Sequence, residues 1–475
     1  MTTEALPLVV DLDGTLVRSD TLVENWLRVI RYQPWTVFYT PLWILRGRAW
    51  LKNEVARRAE LRPEHLPYHE ELVAWLREQR EAGREIHLAT AANTRIAEPI
   101  AAHLGLFDRV FASTPDRNLK GAVKAEVLCS EFGRGRFVYA GNDRSDLVVW
   151  SESAAAVLVE APPGVTRRVK GPVEARFSRE SNRFRDMLRA MRLYQWVKNL
   201  LVFLPLVTSN GLLRASSLAD ALITFMAFSL LASGVYLVND LFDLGADRQH
   251  PRKRNRPFAS GRLPVVWGVI AGPLLMVVGI GTAMRLDPLV GAVLVGYAVM
   301  TLAYSAYLKT QPLVDVFTLA MLYTLRIVAG GIAVGEPASI WLLSFSSFFF
   351  LSLGFLKRYV EVAQLDPEGD RIHRRGYGRG EEDPLLVMGV ASSFAASIVL
   401  ALYVDSAIAE SIYHNPDAVW GFVPLSLFWQ MRMWLAAERG FVDDDPITYA
   451  AFDWVSALVI LAGAGFYMAA VGITP

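Results

Sequence analysis

Long uncharged segments in the second part of this chain constrain its fold more than any other feature. Six apolar runs contain no charged residue, at 221–239, 263–284, 288–308, 337–356, 385–404 and 454–475. Three further runs, at 196–213, 316–334 and 419–435, carry one charged residue each. Runs of about 20 apolar residues match the hydrocarbon thickness of a bilayer. The sequence therefore predicts nine membrane-spanning helices, preceded by a soluble domain in the first 180 residues.

Charge and cysteine content exclude two classes of function. The chain has 475 residues, with 48 Lys and Arg against 47 Asp and Glu. A nucleic-acid-binding protein usually contains a strongly basic domain, so we expect no nucleic-acid partner. The single cysteine, Cys129, excludes an intrachain disulfide framework and a cysteine-based zinc site.

The basic residues between the apolar runs predict the orientation. Arginine and lysine concentrate at 248–262 and after residue 356, in the second and sixth connections. Positive charge marks the cytoplasmic side, and even-numbered connections lie on the same side as the N-terminus. The N-terminus lacks the features of a signal peptide. The sequence therefore predicts a multi-pass protein of the bacterial inner (plasma) membrane, with the N-terminal domain and active sites cytoplasmic and the C-terminus outside.

In the N-terminal domain, polar side chains follow three predicted strands. Residues 8–10 lead into Asp11 and Asp13, residues 85–89 end at Thr90, and residues 137–140 precede a loop that contains Asp146. Helical patterns separate the strands, so we expect a Rossmann-like α/β domain with a parallel sheet. Ligands bind at the carboxyl ends of such strands.

The run Asp-Leu-Asp-Gly-Thr after the first strand resembles the signature of haloacid-dehalogenase-like phosphatases. The resemblance implies that Asp11 is the nucleophile that takes up a phosphoryl group and that Asp13 is the general acid/base. It also implies that Thr90 holds the transferring oxygens. An aspartate nucleophile needs a metal ion and a lysine to screen its repulsion from an anionic phosphate.

The same resemblance implies a lysine and a Mg²⁺ site. Lys120 or Lys124 would neutralise the phosphoaspartate, and Asp146 would bind Mg²⁺ together with Asp11 and Asp13. The last motif of the family usually begins Gly-Asp, whereas Asn142 holds that second position here. The alternative is a degenerate domain kept for assembly or regulation.

The insertion between Thr15 and Thr90 mixes aromatic and basic residues and predicts a helical cap. Two interpretations remain open. Such a surface fits contact with anionic lipid headgroups. Ordinary packing of the cap against the domain accounts for the same composition.

An acidic motif stands between the second and third predicted spans. On an α-helix Asn239, Asp240, Asp243 and Asp247 would share one broad face. Clustered carboxylates repel one another unless a cation lies among them, and oxygen ligands suit Mg²⁺ that bridges to phosphates. A basic cluster follows at once, at 248–262, so acid and base together predict a site for a magnesium diphosphate. Arg254 and Arg256 are its candidate substrate-binding residues.

This motif, with the His-Pro-Arg-Lys and Arg-Pro-Phe-Ala-Ser-Gly runs after it, resembles the UbiA superfamily of intramembrane prenyl transferases. Separated motifs at 192–199, 304–316 and 325–331 resemble its decaprenyl-phosphate phosphoribosyltransferase branch. The resemblance implies an all-α bundle of nine helices and Mg²⁺ held by Asp240, Asp243 and Asp247. It implies transfer of 5-phosphoribose from phosphoribosyl diphosphate to polyprenyl (decaprenyl) phosphate. The fused phosphatase-like domain would then remove the 5-phosphate.

A phosphate acceptor and a phosphorylated donor demand further cations and polar groups. The candidates in the membrane domain are Lys198, Tyr304, Asp315, Arg326, Lys357 and Arg358. An arginine inside a membrane span normally faces a polar cavity. The alternatives are an ion pair between Arg326 and Asp315, and interfacial anchoring by Lys357, Arg358 and Tyr304. The aspartates at 443–445, together with Asp453, are weaker candidates for metal binding. The loop 366–383, with Arg374, Arg375 and Tyr377, is either a phosphate-binding lid or a plain loop.

The sequence thus predicts three parts: a phosphatase-like domain at 1–165, a linker or amphipathic segment at 166–190, and a transferase domain at 191–475. Membrane lipids are expected partners, and a homo-oligomer is left open. The rival functions are transfer of a prenyl group from a prenyl diphosphate to an aromatic or other acceptor, and a non-catalytic scaffold role for the soluble domain.

Overall fold

A computed structural model describes residues 6–59, 61–178, 182–209, 214–365, 376–442 and 445–472. The chain folds into two compact units. The first comprises Met1–Met191 and Leu237–Ala271, and the second comprises Arg192–Tyr236 and Gly272–Pro475. The acidic motif therefore belongs to the same unit as the N-terminal domain.

The first unit is built on a parallel sheet of six strands. They are β1 Leu8–Val10, β2 Ile86–Asn93, β3 Arg109–Ser113, β4 Val138–Gly141, β5 Ala155–Val159 and β6 Val173–Phe177, in the order β3-β2-β1-β4-β5-β6. Strand β1 is central and fully buried, and its Val9 pairs with His87 and Tyr139. This Rossmann-like order confirms the predicted α/β domain and gathers the ends of β1, β2 and β4 at one edge. Thr90 lies inside β2 rather than after it, because β2 runs to Asn93.

Helices cover the sheet and form the cap. They are α1 Thr21–Tyr32, α2 Thr36–Leu45, α3 Arg48–Arg58, α4 Glu70–Glu81, α5 Thr94–Leu104, α6 Ala122–Phe132, α7 Leu147–Trp150, α8 Pro163–Thr166 and α9 Arg183–Ala190. Helices α1 to α3 lie between β1 and β2 and form the cap that the sequence predicts. Helix α1 begins after Asp20, whose carboxylate accepts hydrogen bonds from the amides of Leu22 and Val23. Such a cap satisfies amides that the helix itself leaves without partners.

Among the residues that the structure describes, seven helices are long and apolar enough to cross a membrane. They are α11 Ala215–Phe242, α13 Val265–Leu286, α14 Pro288–Ala306, α15 Val314–Ala333, α16 Ile340–Ala363, α17 Glu382–Val404 and α21 Trp454–Val471. The shorter ones are α10 Leu204–Thr208, α12 Leu244–Gln249, α18 Ala407–Ile412, α19 Phe422–Glu438 and α20 Pro446–Phe452. Within the described chain, the prediction of nine long spans is thus met for seven.

The two remaining runs differ from the prediction for local reasons. The first forms a 3₁₀ helix, Leu193–Phe203, that continues into the five-residue α10. Its polar residues Lys198 and Asn199 are buried, so this segment follows polar contacts rather than one regular helix axis. The other run forms α19, which has 17 residues and whose Arg432 pairs with Asp453 at 2.7 Å.

Small residues let elements of the second unit approach closely. A Cβ added to Gly330 would lie 2.0 Å from the carbonyl oxygen of Val202, and one added to Gly279 would lie 2.6 Å from that of Ala227. No side chain fits at these distances, so the backbones themselves are in contact. This is how helices pack where lipid gives no hydrophobic drive to associate.

Candidate active sites

The nucleophile candidate of the first unit is paired with a lysine. Asp11 follows β1, and its Oδ1 accepts a hydrogen bond of 2.7 Å from Nζ of Lys124, at the start of α6. Lys124 is buried and also donates to the hydroxyl of Tyr139 at 2.8 Å. Lys120 is exposed. Of the two lysines that the sequence offers, the structure brings Lys124 to Asp11.

Asp13 lies beside the first turn of the cap. Its Oδ1 accepts a hydrogen bond of 2.8 Å from the amide of Thr21. Burial, together with the charges of Asp20 and Asp11, raises the pKa of Asp13 to about 7. A carboxyl group that titrates near neutral pH suits general acid/base catalysis.

Asp146 closes the loop after β4. Its Oδ2 accepts hydrogen bonds of 2.9 Å from the amides of Asn142 and Asp143, and its Oδ1 accepts one of 2.9 Å from the hydroxyl of Tyr139. Burial, and then the charge of Asp11, raises the pKa of Asp146 to about 6. Burial disfavours the charged form of these carboxyl groups. A divalent cation bound among them would stabilise the charged form.

Asn142 lies against the first loop. Gly14 has a φ of +77°, and a Cβ placed there would lie 2.2 Å from Nδ2 of Asn142. Only glycine fits both the backbone conformation and the space. The amide that replaces the family's usual carboxylate therefore packs directly on the loop that carries Asp11 and Asp13.

The cap contributes a lysine that the sequence analysis missed. Nζ of Lys52, in α3, donates to the carbonyl of Ala91 and to Oδ1 of Asn118. Lys52 lines a small cavity with side chains of α1, β2 and α5. Burial lowers its pKa, and the negative charge of Asp13 partly opposes this. Thr90 directly precedes Ala91 in β2 and is fully buried. Its hydroxyl accepts a hydrogen bond from the amide of Ala92.

The acidic motif contains a pair of buried carboxylates that share a cation. Asp240 is 3% exposed and Asp247 is 4% exposed. Nη1 of Arg256 lies 3.1 Å from Oδ1 of Asp240 and 2.7 Å from Oδ2 of Asp247. Burial raises the pKa of Asp247, while Arg256 opposes that rise. The structure thus brings a basic side chain into contact with two acidic ones in this motif.

The other members of the motif lie apart from this pair. Helix α11 ends at Phe242, so Asp243 leaves the helix and its carboxylate pairs with Arg31 of the cap at 3.0 Å. The single helical face expected for all four residues is therefore interrupted at Asp243. Asn239 is half-buried in the last turn of α11, and Arg254 is exposed on the 3₁₀ helix Lys253–Asn255.

Both clusters of the first unit have the donor chemistry for a hard cation. Within the described residues, no three acidic, histidine or cysteine side chains are grouped closely enough to hold a metal as they stand. Arg256 bridges the carboxylates of Asp240 and Asp247, and Lys124 binds Oδ1 of Asp11, so a side-chain cation already lies in each cluster. Carboxylate oxygens that share a cation fit Mg²⁺, which completes its shell with water and substrate phosphates.

In the second unit, two lysines converge on one carboxylate. Nζ of Lys198 donates to Oδ2 of Asp445, and Nζ of Lys357 lies 3.6 Å from the same oxygen. The lysines lower the pKa of Asp445 far below its usual range, against the effect of burial. Asp445 came from the weak acidic run at 443–445, whose first two residues lie outside the described ranges. It pairs with cations, and its neighbourhood is positively charged.

Arg326 is buried within α15 among neutral groups. Its Nε donates to Oδ1 of Asn199 at 2.8 Å, its Nη2 donates to the hydroxyl of Tyr297 at 2.9 Å, and its Nη1 donates to the carbonyl of Leu322. The rings of Tyr297 and Phe228 lie beside the guanidinium. Within the described chain these hydrogen-bond partners are all uncharged. A buried charge among neutral partners is poorly compensated until an anion arrives.

Arg358 and Asp315 form the ion pair that was considered for Arg326. Both are 0% exposed, and Nε of Arg358 lies 2.6 Å from Oδ2 of Asp315. Arg358 also contacts Glu361 and donates to the hydroxyl of Tyr304 at 2.8 Å, while Tyr377 donates to Asp315 at 2.8 Å. These contacts argue against simple interfacial anchoring by Arg358 and Tyr304. Of the loop residues considered with Tyr377, those at 374 and 375 lie outside the described ranges.

Comparison with known proteins identifies the families of the two parts of the chain. Residues 202–446 match the model of the UbiA prenyltransferase family, and residues 8–148 match that of haloacid dehalogenase-like hydrolases. The uncharacterized protein y4nM of Sinorhizobium fredii is 38% identical over 98% of this chain and 91% of its own length. Decaprenyl-phosphate phosphoribosyltransferase of Mycolicibacterium smegmatis is 30% identical over 60% of this chain and 92% of its own length.

A solved structure of a UbiA homolog from Archaeoglobus fulgidus bound to GPP and Mg²⁺ is 18% identical, covers 59% of this chain and 99% of that chain, and has a TM-score of 0.46. The family matches and the two relatives, rather than this structural likeness, assign the chain to its family. Its helical domain is a multi-pass membrane domain, and its N-terminal domain has the fold of haloacid dehalogenase-like hydrolases. The chain belongs to the UbiA prenyltransferase family, with relatives among the decaprenyl-phosphate phosphoribosyltransferases.

Proposed function

We propose that this protein transfers 5-phosphoribose from phosphoribosyl diphosphate to a polyprenyl phosphate. An oxygen of the acceptor phosphate attacks the anomeric carbon, and diphosphate leaves with the bonding electrons. Asp240 and Asp247 would hold Mg²⁺, which when bound offsets the charge of the departing diphosphate. Once Arg256 leaves the carboxylates of Asp240 and Asp247, its guanidinium binds the diphosphate. Asn239 and Arg254 contact the diphosphate as well. The acceptor needs no general base, because a phosphate is already ionised at neutral pH.

The observation that carries this proposal is the setting of Arg326. A transferase that acts on an uncharged aromatic acceptor needs cations for one diphosphate only. Here, besides the basic residues of the acidic motif, the second unit buries Arg326 among neutral partners and directs Lys198 and Lys357 at a single carboxylate. We assign these cations to the phosphates of the acceptor and of the ribose donor. Arg358, Asp315 and Tyr304 support that region through their own contacts.

The acceptor assignment predicts a selective effect at Arg326. We expect Arg326→Met to lower kcat/KM for polyprenyl phosphate by about 10²-fold, because a charge-assisted contact to the acceptor is lost. Arg285→Met, at an exposed arginine near the end of α13, is the matched control and should leave kcat/KM within a factor of about two. Steady-state assays with varied polyprenyl phosphate measure both. An unchanged kcat/KM in a folded Arg326→Met protein would contradict the assignment of Arg326 to the acceptor phosphate.

We further propose that the N-terminal domain removes the 5-phosphate and leaves polyprenyl-phosphoryl ribose. Asp11 would attack the phosphorus, and Asp13 would give a proton to the ribose oxygen that leaves. Water then cleaves the phosphoaspartate, with Asp13 taking the proton back. Thr90 and Lys124 would hold the phosphoryl oxygens, and Mg²⁺ would be held by Asp11, Asp13 and Asp146. Support comes from the contact of Lys124 with Asp11 and from the neutral-range pKa of Asp13.

Two lysines four residues apart provide a matched test of the phosphatase site. We expect Lys124→Met to lower phosphatase turnover by about 10²- to 10³-fold, because Asp11 loses the cation that screens an incoming phosphate. Lys120→Met removes an equal charge from an exposed position and should change turnover by less than about twofold. Release of inorganic phosphate from the phosphorylated lipid measures both. Equal effects of the two substitutions would contradict the assignment of Lys124.

The location follows from the same proposal. We propose that the protein lies in a bacterial inner membrane with both active sites on the cytoplasmic side and the C-terminus outside. The basic segment 248–262, which directly follows the acidic motif, supports this orientation through the distribution of positive charge. A cysteine placed at exposed Arg252, in a Cys129→Ser background, should react with a membrane-impermeant thiol reagent only in inverted vesicles. Labelling of this cysteine in intact spheroplasts would show that the segment lies outside the cell and would contradict the proposed orientation.

A further inference from the structure

Helix α2 of the cap turns its apolar side chains outward. Its ten residues contain no charge. Phe38 is 83% exposed and Leu45 is 84% exposed, while Trp35, just before the helix, is 59% exposed. The other exposed large side chains of this segment are Val37, Tyr39, Leu42 and Ile44. Scattered exposed apolar residues are common, but a contiguous set of this kind marks a surface that contacts something.

The outward direction of these side chains is fixed by polar contacts on the inner face. The buried positions of α2 are Thr36, Thr40 and Trp43, spaced as one helical face. The indole of Trp26 donates to Thr40 at 3.0 Å, and the hydroxyl of Thr40 donates to the carbonyl of Thr36 at 3.0 Å. A helix at a water-facing surface would bury its aromatic residues and expose its threonines. Trp43 is buried, but Phe38 and Tyr39 are exposed while Thr36 and Thr40 are buried, so most of this helix is suited to an apolar surrounding.

The same unit ties the cap to the end of a membrane span. Arg31, in the last turn of α1, donates to the carbonyl of Phe242, the final residue of α11. A second contact joins the same two regions. Nη1 and Nη2 of Arg248 donate to the two carboxylate oxygens of Glu24, at 2.9 and 2.5 Å. Helix α2 begins five residues after Arg31, which is at most about 17 Å of extended chain. The apolar helix therefore begins a short stretch of chain after a residue that contacts the end of a membrane span.

Charge next to α2 identifies the partner. Arg46 and Arg48 follow the helix directly and are exposed, and the guanidinium of Arg46 lies 5.5 Å from the centre of the Trp50 ring. Apolar and aromatic side chains bordered by arginine are typical of helices that lie in the headgroup region of an anionic bilayer. A protein partner would not require the basic border, and the bilayer is present wherever this chain is.

We propose that helix α2, with Trp35, Phe38 and Leu45, inserts into the cytoplasmic leaflet of the membrane as an interfacial anchor, with Arg46 and Arg48 at the headgroups. The anchor holds the cap of the N-terminal domain on the bilayer surface. This binding is independent of whether the domain is an active phosphatase. Of the two interpretations of the aromatic and basic cap, this proposal adopts lipid contact.

The test uses the full-length protein in nanodiscs of phosphatidylcholine and phosphatidylglycerol. In a Cys129→Ser background, Phe38→Cys and Leu45→Cys are labelled with bimane, and Glu71→Cys, at an exposed position of α4, is the matched control. Doxyl-labelled lipid should quench positions 38 and 45 at least about threefold more strongly than position 71. Thermal unfolding of each labelled protein shows that the fold is retained.

Two results would overturn the proposal. One is equal quenching at positions 38, 45 and 71, which would place the helix in water. The other is weak quenching together with a dimer, seen by mass measurement of single particles, that Phe38→Glu separates into monomers. That outcome would assign the surface to a second copy of this chain. Neither result depends on transferase or phosphatase activity, so failure of the anchor and failure of the proposed function are distinguishable.

Discussion

Replacing Asp247 with asparagine should reduce phosphoribosyl transfer by about 10²- to 10³-fold, the largest loss expected in the membrane domain. The substitution keeps the size and hydrogen-bonding capacity of the side chain but removes one of two buried charges that balance a shared cation. Asp240 would then be the only carboxylate of the two left beside Arg256. One carboxylate cannot hold a divalent ion and at the same time position the guanidinium for the diphosphate.

A matched control separates this effect from a general loss of fold. Asp220 lies in the first turns of α11, the helix that ends at the acidic motif, and Asp220→Asn removes an equal charge there. We expect Asp220→Asn to keep at least half of the activity. Diphosphate release and formation of the lipid product are measured at saturating magnesium. Full activity of folded Asp247→Asn would show that the motif does not serve the leaving group.

The second large effect is expected at Asp11. Asp11→Asn should lower dephosphorylation by about 10³-fold or more, since an amide cannot act as the nucleophile. The first reaction should continue, so the lipid product should accumulate with its 5-phosphate in place. Mass spectrometry of extracted lipid distinguishes the phosphorylated product from the dephosphorylated one. The exposed residue Asp116 provides a control, because Asp116→Asn should give the same product as the unaltered protein.

The outcome of the Asp11 experiment also decides between the two interpretations of the N-terminal domain. If Asp11→Asn and the unaltered protein yield the same lipid, the domain does not act on the product of the membrane domain, and a scaffold role remains. The Lys124–Asp11 contact is buried, so the stability of Asp11→Asn is checked by thermal unfolding. A protein that still transfers phosphoribose has kept its membrane domain intact.

Local sequence patterns predict the parts of the fold whose partners are close in the chain or follow strand geometry. The run after β1 predicts Asp11 and Asp13 at the active edge because parallel strands end together. The acidic motif predicts Asp240 and Asp247 on one side of the chain because they lie about two helical turns apart, although the helix is interrupted at Asp243. Arg256, nine residues after Asp247, was expected there as part of the basic cluster.

Contacts between distant segments are what the sequence leaves out. Lys198 meets Asp445, 247 positions later, and neither residue carries a local pattern that selects the other. Lys52 of the cap likewise donates to Asn118, 66 positions later, and no local pattern selects that partner. The first predicted span fails as a regular helix because Lys198 and Asn199 turn inward to polar partners, and an apolar run alone does not reveal such partners. Distinguishing Lys124 from Lys120 likewise needs the direction of each side chain.

One measurement tests the central claim most directly. The purified full-length protein, in nanodiscs with magnesium, is offered phosphoribosyl diphosphate with polyprenyl phosphate, and separately a prenyl diphosphate with an aromatic acceptor. We predict that the first pair yields diphosphate and a ribosylated lipid phosphate, and that the second pair yields no product. Turnover of the prenyl diphosphate pair with no consumption of phosphoribosyl diphosphate would contradict the account and assign Arg326 another role.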